Sequence, residues 1–248
     1  MKTLAAAALI LAGSAALDVA RADTVTLVGT DFDVIYNSAT LGLFGTPQLI
    51  GDYLVFTPNQ FAAQSLNGSG TDTTTSVASG IQLVANPGYQ FGNLSVAAVG
   101  DYLMQGQGTS VGVSGTLTAA DAARPLTQTV ANLVVASPLN IANGIVQNWS
   151  GSAQINNSTP TVTPGYNPWL ASAGTIDVQL ANWLTATTTP GNGDSQAFIQ
   201  EKFSSVELVI DPVAVPLPGT LLLGLSGLAG LACLGRRHRP GRLPREFG

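Results

Sequence analysis

The chain has 248 residues, of which 45% are hydrophobic and only 9% charged, with a single cysteine and a single histidine. Between residues 23 and 214 two basic residues, Arg124 and Lys202, stand against 12 acidic ones, a net charge of −10. That balance excludes a nucleic-acid binder, whose phosphate contacts need the opposite sign. With so few charges the surface must be built from Thr, Ser, Asn, Gln and Gly, which suits an extracellular protein.

The amino end carries Lys2, an apolar run from Leu4 to Leu17, and the small-x-small triplet Ala20-Arg21-Ala22. This is the layout of a secretory signal peptide, too short in its apolar part to span a bilayer. Residues 1–22 are therefore read as removed by signal peptidase, with the mature chain beginning at Asp23.

Thr24 to Tyr36 alternates β-branched or aromatic residues with polar ones and predicts one half-buried strand. A loop punctuated by Gly, Pro and Asn follows to Gln48, then a strand over Gly51 to Phe56. Asn67-Gly68-Ser69-Gly70 is turn chemistry, since Asn and Gly tolerate positive φ. Thr73 to Ala85 predicts a long strand that stops at Asn86-Pro87-Gly88. Tyr89 to Val99 predicts another, with a tight reversal at Gly100-Asp101 before Tyr102 to Gln105.

Ser110 to Thr118 alternates cleanly, and Ala119 to Arg124 is the one candidate for a short helical turn. Strands over Thr127 to Ala136 and Ile145 to Ile155 precede a proline-bearing loop from Ser158 to Pro168. Thr175 to Thr187 predicts a bent strand, Pro190 to Asp194 a surface turn, and Gln196 to Ile210 the last strand or pair. About ten to twelve strands without a fixed repeat predict one all-β domain over 23–210. Its architecture is an antiparallel β-sandwich or a jelly-roll-like ectodomain.

Residues 211–218 are read as a linker and motif. Leu217 to Leu234 is an uncharged run of 18 residues. As a helix it reaches ~27 Å, just enough for the hydrocarbon core. Pro216 and Pro218 place the helix start near Pro218 or Gly219, giving a single transmembrane helix over 219–235. Arg236, Arg237, Arg239, Arg242 and Arg245 then form a basic tail over 236–248 that is retained on the cytoplasmic side.

The order Val215-Pro216-Leu217-Pro218, Leu/Gly-rich span, terminal arginine cluster resembles the PEP-CTERM class of bacterial sorting signals, and most closely its VPLPA-CTERM variant. Gly219 stands where that variant has alanine, and Leu217 replaces the glutamate of the parent form. The resemblance covers about the last 35 residues. It implies a Gram-negative host, export, and cleavage near Pro216–Gly219 by an exosortase-type membrane protease. It also implies an inner-membrane intermediate, then residence at the cell surface or in an exopolysaccharide matrix. The segments GTDFDVIY, Pro87-Gly88-Tyr89 with Phe91, and Gly100-Asp101-Tyr102 are similar to the bodies of PEP-CTERM proteins of unassigned function.

The only cysteine, Cys233, lies in the span, so the body forms no internal disulfide. The only histidine, His238, lies beyond the span. No Ser-His-Asp or Cys-His arrangement and no His/Cys zinc site can form in the body. Gly112-Val113-Ser114-Gly115 lacks the spacing of a nucleophile motif and reads as strand.

Carboxylates are the remaining acid/base groups, and Glu201 and Glu207 are the only glutamates of the body. Glu207 reads as an exposed charge guarding an edge strand. Asp31 and Asp33, two apart, project from one face of a strand, where a hard cation such as calcium would neutralise them. Asp101 or Asp194 would complete its shell, and no other cofactor is expected.

Trp149, Trp169 and Trp183, with Tyr166, offer flat faces for sugar rings. The loop placing of Tyr166 and Trp169 makes those two the preferred carbohydrate-binding residues. The combined expectation is a non-enzymatic surface or matrix protein with a transient membrane anchor. The alternatives are a lectin-like module and a carboxylate-dependent glycan hydrolase or lyase.

Overall fold

The structure, a computed structural model, describes residues 23–58, 60–156, 159 and 170–214, with backbone only for 203–214. The expected signal peptide, the sorting motif, the span, the arginine tail and nearly all of the 158–168 loop lie outside the described residues.

Thirteen strands form two antiparallel sheets. They are β1 (Thr24–Leu27), β2 (Phe32–Asn37), β3 (Gln48–Ile50), β4 (Tyr53–Phe56), β5 (Ala62–Leu66), β6 (Gly70–Ala85) and β7 (Tyr89–Gln105). Then come β8 (Thr109–Asp121), β9 (Arg124–Asn132), β10 (Val134–Val135), β11 (Gln147–Asn156), β12 (Thr175–Thr188) and β13 (Gln196–Ala214). The first sheet runs β1-β2-β6-β12-β8-β9 and the second β10-β11-β7-β13-β4-β3, with β5 also paired to β13. The all-β antiparallel class expected from the alternation is what the chain adopts.

Long strands come in pairs that cross from one sheet to the other. β6 of the first sheet leads to β7 of the second, and β12 of the first leads to β13 of the second. Each strand of period two therefore turns one face to the space between the sheets. Ile176, Val178, Leu180 and Leu184 of β12 meet Leu94, Val96, Ala98 and Met104 of β7 in one core cluster. Phe44, Phe56 and Phe61 pack edge to face at 5.8–5.9 Å between centroids. A fully buried side chain of this size contributes about 1.5–3 kcal/mol, so the core supplies the cohesion that a disulfide-free body needs.

Four expectations are corrected. Thr24 to Tyr36 is a hairpin, β1 and β2, paired Leu27↔Val34. The reversal is fixed by the Gly29 N–H donating to Asp33 Oδ1 at 3.1 Å, and Gly29 and Asp31 within it are the turn formers that break the alternation. Gly100-Asp101 is no reversal, because β7 runs through it unbroken.

Ala119 to Arg124 is not helical. Asp121 accepts from the Ala123 N–H at 2.9 Å and from Arg124 Nε at 2.7 Å, closing a β8–β9 reversal. Cross-strand pairing to β12 overrides the helix preference of its alanines. Finally, 211–214 is no linker: Asp211 pairs with Asn93 and Ala214 with Tyr89 as the end of β13. The Asn67-Gly68 turn is as expected, at φ 51° and 75° between β5 and β6.

β13 does not keep register throughout. Glu201 opposes Gly100, whereas Val206 opposes Ala98. Residues 202–205 of β13 thus stand against the single Val99 of β7, three residues more than the ladder needs, a wide irregularity of the kind that re-aims side chains. On the other flank of β13, the break between β4 and β5 falls at the same level.

Candidate functional site

The β13 irregularity gathers the described chain's unusual polar groups. Glu201 lies on the inward parity of β13 with Ala197 and Ile199, and is 3% exposed. Opposite it, on β12 of the other sheet, Asn182 is also buried. The Asn182 Nδ2 donates to Glu201 Oε1 and Oε2, both at 3.1 Å. Burial pushes the Glu201 carboxyl up to about 8, and the Asn182 hydrogen bonds pull the other way without offsetting it. At neutral pH this group is a carboxylic acid, uncharged, spanning the core.

One residue along, Asp101 of β7 faces away from the core, beside Gln200 and Asn148 in the ladder. Its Oδ2 takes the Lys202 ammonium at 2.6 Å. Its Oδ1 is buried without a hydrogen-bond partner among the described residues. Glu201 and Asp101 thus sit on opposite faces of the second sheet and do not flank a common space. Cleaving a glycosidic bond needs two carboxyl groups across that bond, and these two are not so arranged.

On the Glu201 side of the sheet, Trp149 of β11 crosses β7 over Gly100. Its Nε1 donates to the Gln200 carbonyl at 3.1 Å. The crossing requires glycine at 100, since a Cβ there would overlap the Gln200 carbonyl oxygen and lie 2.7 Å from Trp149 Nε1. That close approach, not a turn, is the reason for the glycine. Beside it opens a cleft of about 420 Å³, lined among others by Val99, Tyr102, Leu139, Trp149 and Lys202. Glu201 does not line it.

The other expected residues are dispersed. Asp33 holds the β1–β2 turn through Gly29, and Asp31 accepts from the Tyr89 hydroxyl, which raises the tyrosine. Each carboxylate thus has a donor of its own, and among the described residues no three His, Cys, Asp or Glu side chains converge. Glu207 is not on an edge. β13 is interior, and Glu207 pairs with Val55 on one side and Ala97 on the other.

Trp149 is buried at 4% exposure, so it is not a surface platform. Trp183 of β12 lies on the outer face of the first sheet, partly exposed. Tyr166, Trp169, Val215, Pro216, Leu217, Pro218, Arg236, Arg237 and Arg239 lie outside the described residues. The buried Glu201 was missed by sequence reasoning. Its signal was parity: Gln200 and Lys202 take the polar positions and leave Glu201 with Ala197 and Ile199.

No protein-family model, no curated protein and no solved structure matches this chain.

Proposed function

We propose that this chain is an exported surface or matrix protein. In this reading a signal peptide and a PEP-CTERM-like tail are removed on either side of a β-sandwich ectodomain that performs no catalysis. One observation carries it. Between an amino end with the layout of a signal peptide and a tail that resembles a PEP-CTERM signal, the described residues from Thr24 to Ala214 pair into antiparallel sheets.

The body's chemistry agrees with a non-catalytic role. It holds no histidine or thiol, and the buried Glu201 is hydrogen-bonded within the core. The partners in this reading are signal peptidase, an exosortase-type enzyme, the membrane as a transient anchor, and exopolysaccharide.

The test is the intact mass of the protein recovered from its native host. The expected species starts at Asp23 and ends between Pro216 and Gly219. Changing Pro216 and Pro218 to alanine should leave the tail attached. Recovery of the chain with both end segments retained would overturn the proposal.

A further inference from the structure

The outer face of the first sheet has an arrangement that the core does not explain. In the β6-β12-β8 ladder, Trp183 stands directly between Thr75 and Ser114. The next outward positions are Val77, Ala181 and Thr116 on one side and Thr73, Thr185 and Gly112 on the other. All eight residues around the indole are therefore small. Beyond them Thr71, Thr187 and Ser110 complete the face, with the Thr71 and Thr187 hydroxyls 2.9 Å apart.

An indole offers 150–250 Å² of burial when it is covered. Trp183 keeps part of its surface exposed on this face, and that part is free for a ligand. Glycine at 112 lets the Thr185 hydroxyl lie over the strand, where it donates to the Gly112 carbonyl at 3.4 Å and would be 2.7 Å from a Cβ.

Charge narrows the partner. The body is net −10, yet none of these 12 outward positions is ionisable. Asp72 of β6 has the opposite parity and accepts from the Gln64 N–H at 2.8 Å on the far side. Asp177, further along β12, is held by Gln82 Nε2 at 2.9 Å. A flat, uncharged face with one aromatic and a surround of hydroxyls lacks the cations that an acidic polymer would require. It fits a ligand with an apolar ring face and many hydroxyl groups.

We infer that this face is a binding surface for a neutral polysaccharide, with Trp183 stacking on a sugar ring and Thr73, Thr75, Ser114 and Thr185 meeting its hydroxyls. The inference deepens the matrix reading above, on which its biological sense rests.

The experiment is affinity electrophoresis of the purified full chain, in a non-glycosidic detergent, through gels containing cellulose derivatives, xylan, mannan, dextran or alginate. Retardation is expected with at least one neutral polymer and not with alginate. Trp183→Ala should weaken it about tenfold or more, as loss of a central aromatic anchor does. Ser114→Glu is at an exposed position and keeps the indole. It should weaken binding similarly by setting a charge beside the ring.

Retardation by none of the neutral polymers would overturn the inference. So would retention of full binding by both variants, or loss of binding only in Trp149→Phe, which would move the site to the cleft. The assay needs no processing, so its failure leaves the export proposal standing, and the mass measurement in turn is independent of it.

Discussion

Asn182 Nδ2 lies 3.1 Å from both carboxyl oxygens of Glu201, and the two residues belong to opposite sheets. This is a polar tie through an otherwise apolar core. It is tolerable because burial keeps the acid protonated, so that no full charge is taken out of water.

The tie makes stability depend on pH in a definite direction. The ordinary value is 4.5 and the folded value about 8. Between them the folded chain holds a proton that the unfolded chain has lost. The stability from this group is complete below about pH 4.5 and declines as pH rises towards 8, by about 1.4 kcal/mol per pH unit. Glu201→Gln keeps the shape and removes the titration. Its melting temperature should match the wild type near pH 4.5 and exceed it by several degrees at pH 8. Parallel melting curves for the two proteins across pH 5–8 would refute the buried acid.

Gly100 and Trp149 form a second tie. Gly100→Ala forces a methyl group against the Gln200 carbonyl and the indole, and should cost about 3 kcal/mol. Trp149→Phe loses only the donor to Gln200, with a cost of about 1 kcal/mol for the hydrogen bond plus some packing. Chemical denaturation of both variants checks the order; equal losses would show that glycine at 100 serves some other purpose.

Lys202 is half-exposed while its partner Asp101 is nearly buried, with Oδ1 unpartnered. Removing the lysine strands a buried carboxylate. Lys202→Ala should therefore destabilise by on the order of 3 kcal/mol. Adding Asp101→Asn should restore part of that loss. A double-mutant cycle reads the coupling, and strict additivity would mean that the pair contributes nothing.

Ser65 closes one end of the sandwich. Its hydroxyl meets the Gly70 carbonyl and the Thr188 hydroxyl, both at 2.6 Å, and accepts from the Thr188 N–H at 3.1 Å. It thereby links β5 of the second sheet to β6 and β12 of the first. Ser65→Ala leaves these groups short of a partner and should cost about 1–3 kcal/mol. Hydrogen exchange at Thr188 should accelerate first, with amides of the central β7 unchanged.

Local rules carried much of the fold into view. The Asn67-Gly68 turn and the Thr-rich alternation of β6, β8 and β12 are properties of neighbouring residues, and they are where the pattern placed them. What local pattern could not show was set by partners distant in sequence. Gly100 reads as a turn until Trp149 and Gln200 are seen to meet over it. Ala119 to Arg124 reads as helix until β12 pairs with it. Glu207 reads as an edge charge until β4 and β7 flank it. The same holds for the polar centre. Nothing within several residues of Glu201 announces Asn182, which reaches it only because β12 and β13 face each other across the core.

β13, the last strand among the described residues, is an interior member of the second sheet and carries the acid that ties it to the first. β4 and β7, which flank it, lack their shared neighbour until β13 has been made. The second sheet therefore closes late in synthesis, when β13 slots between two strands made long before it.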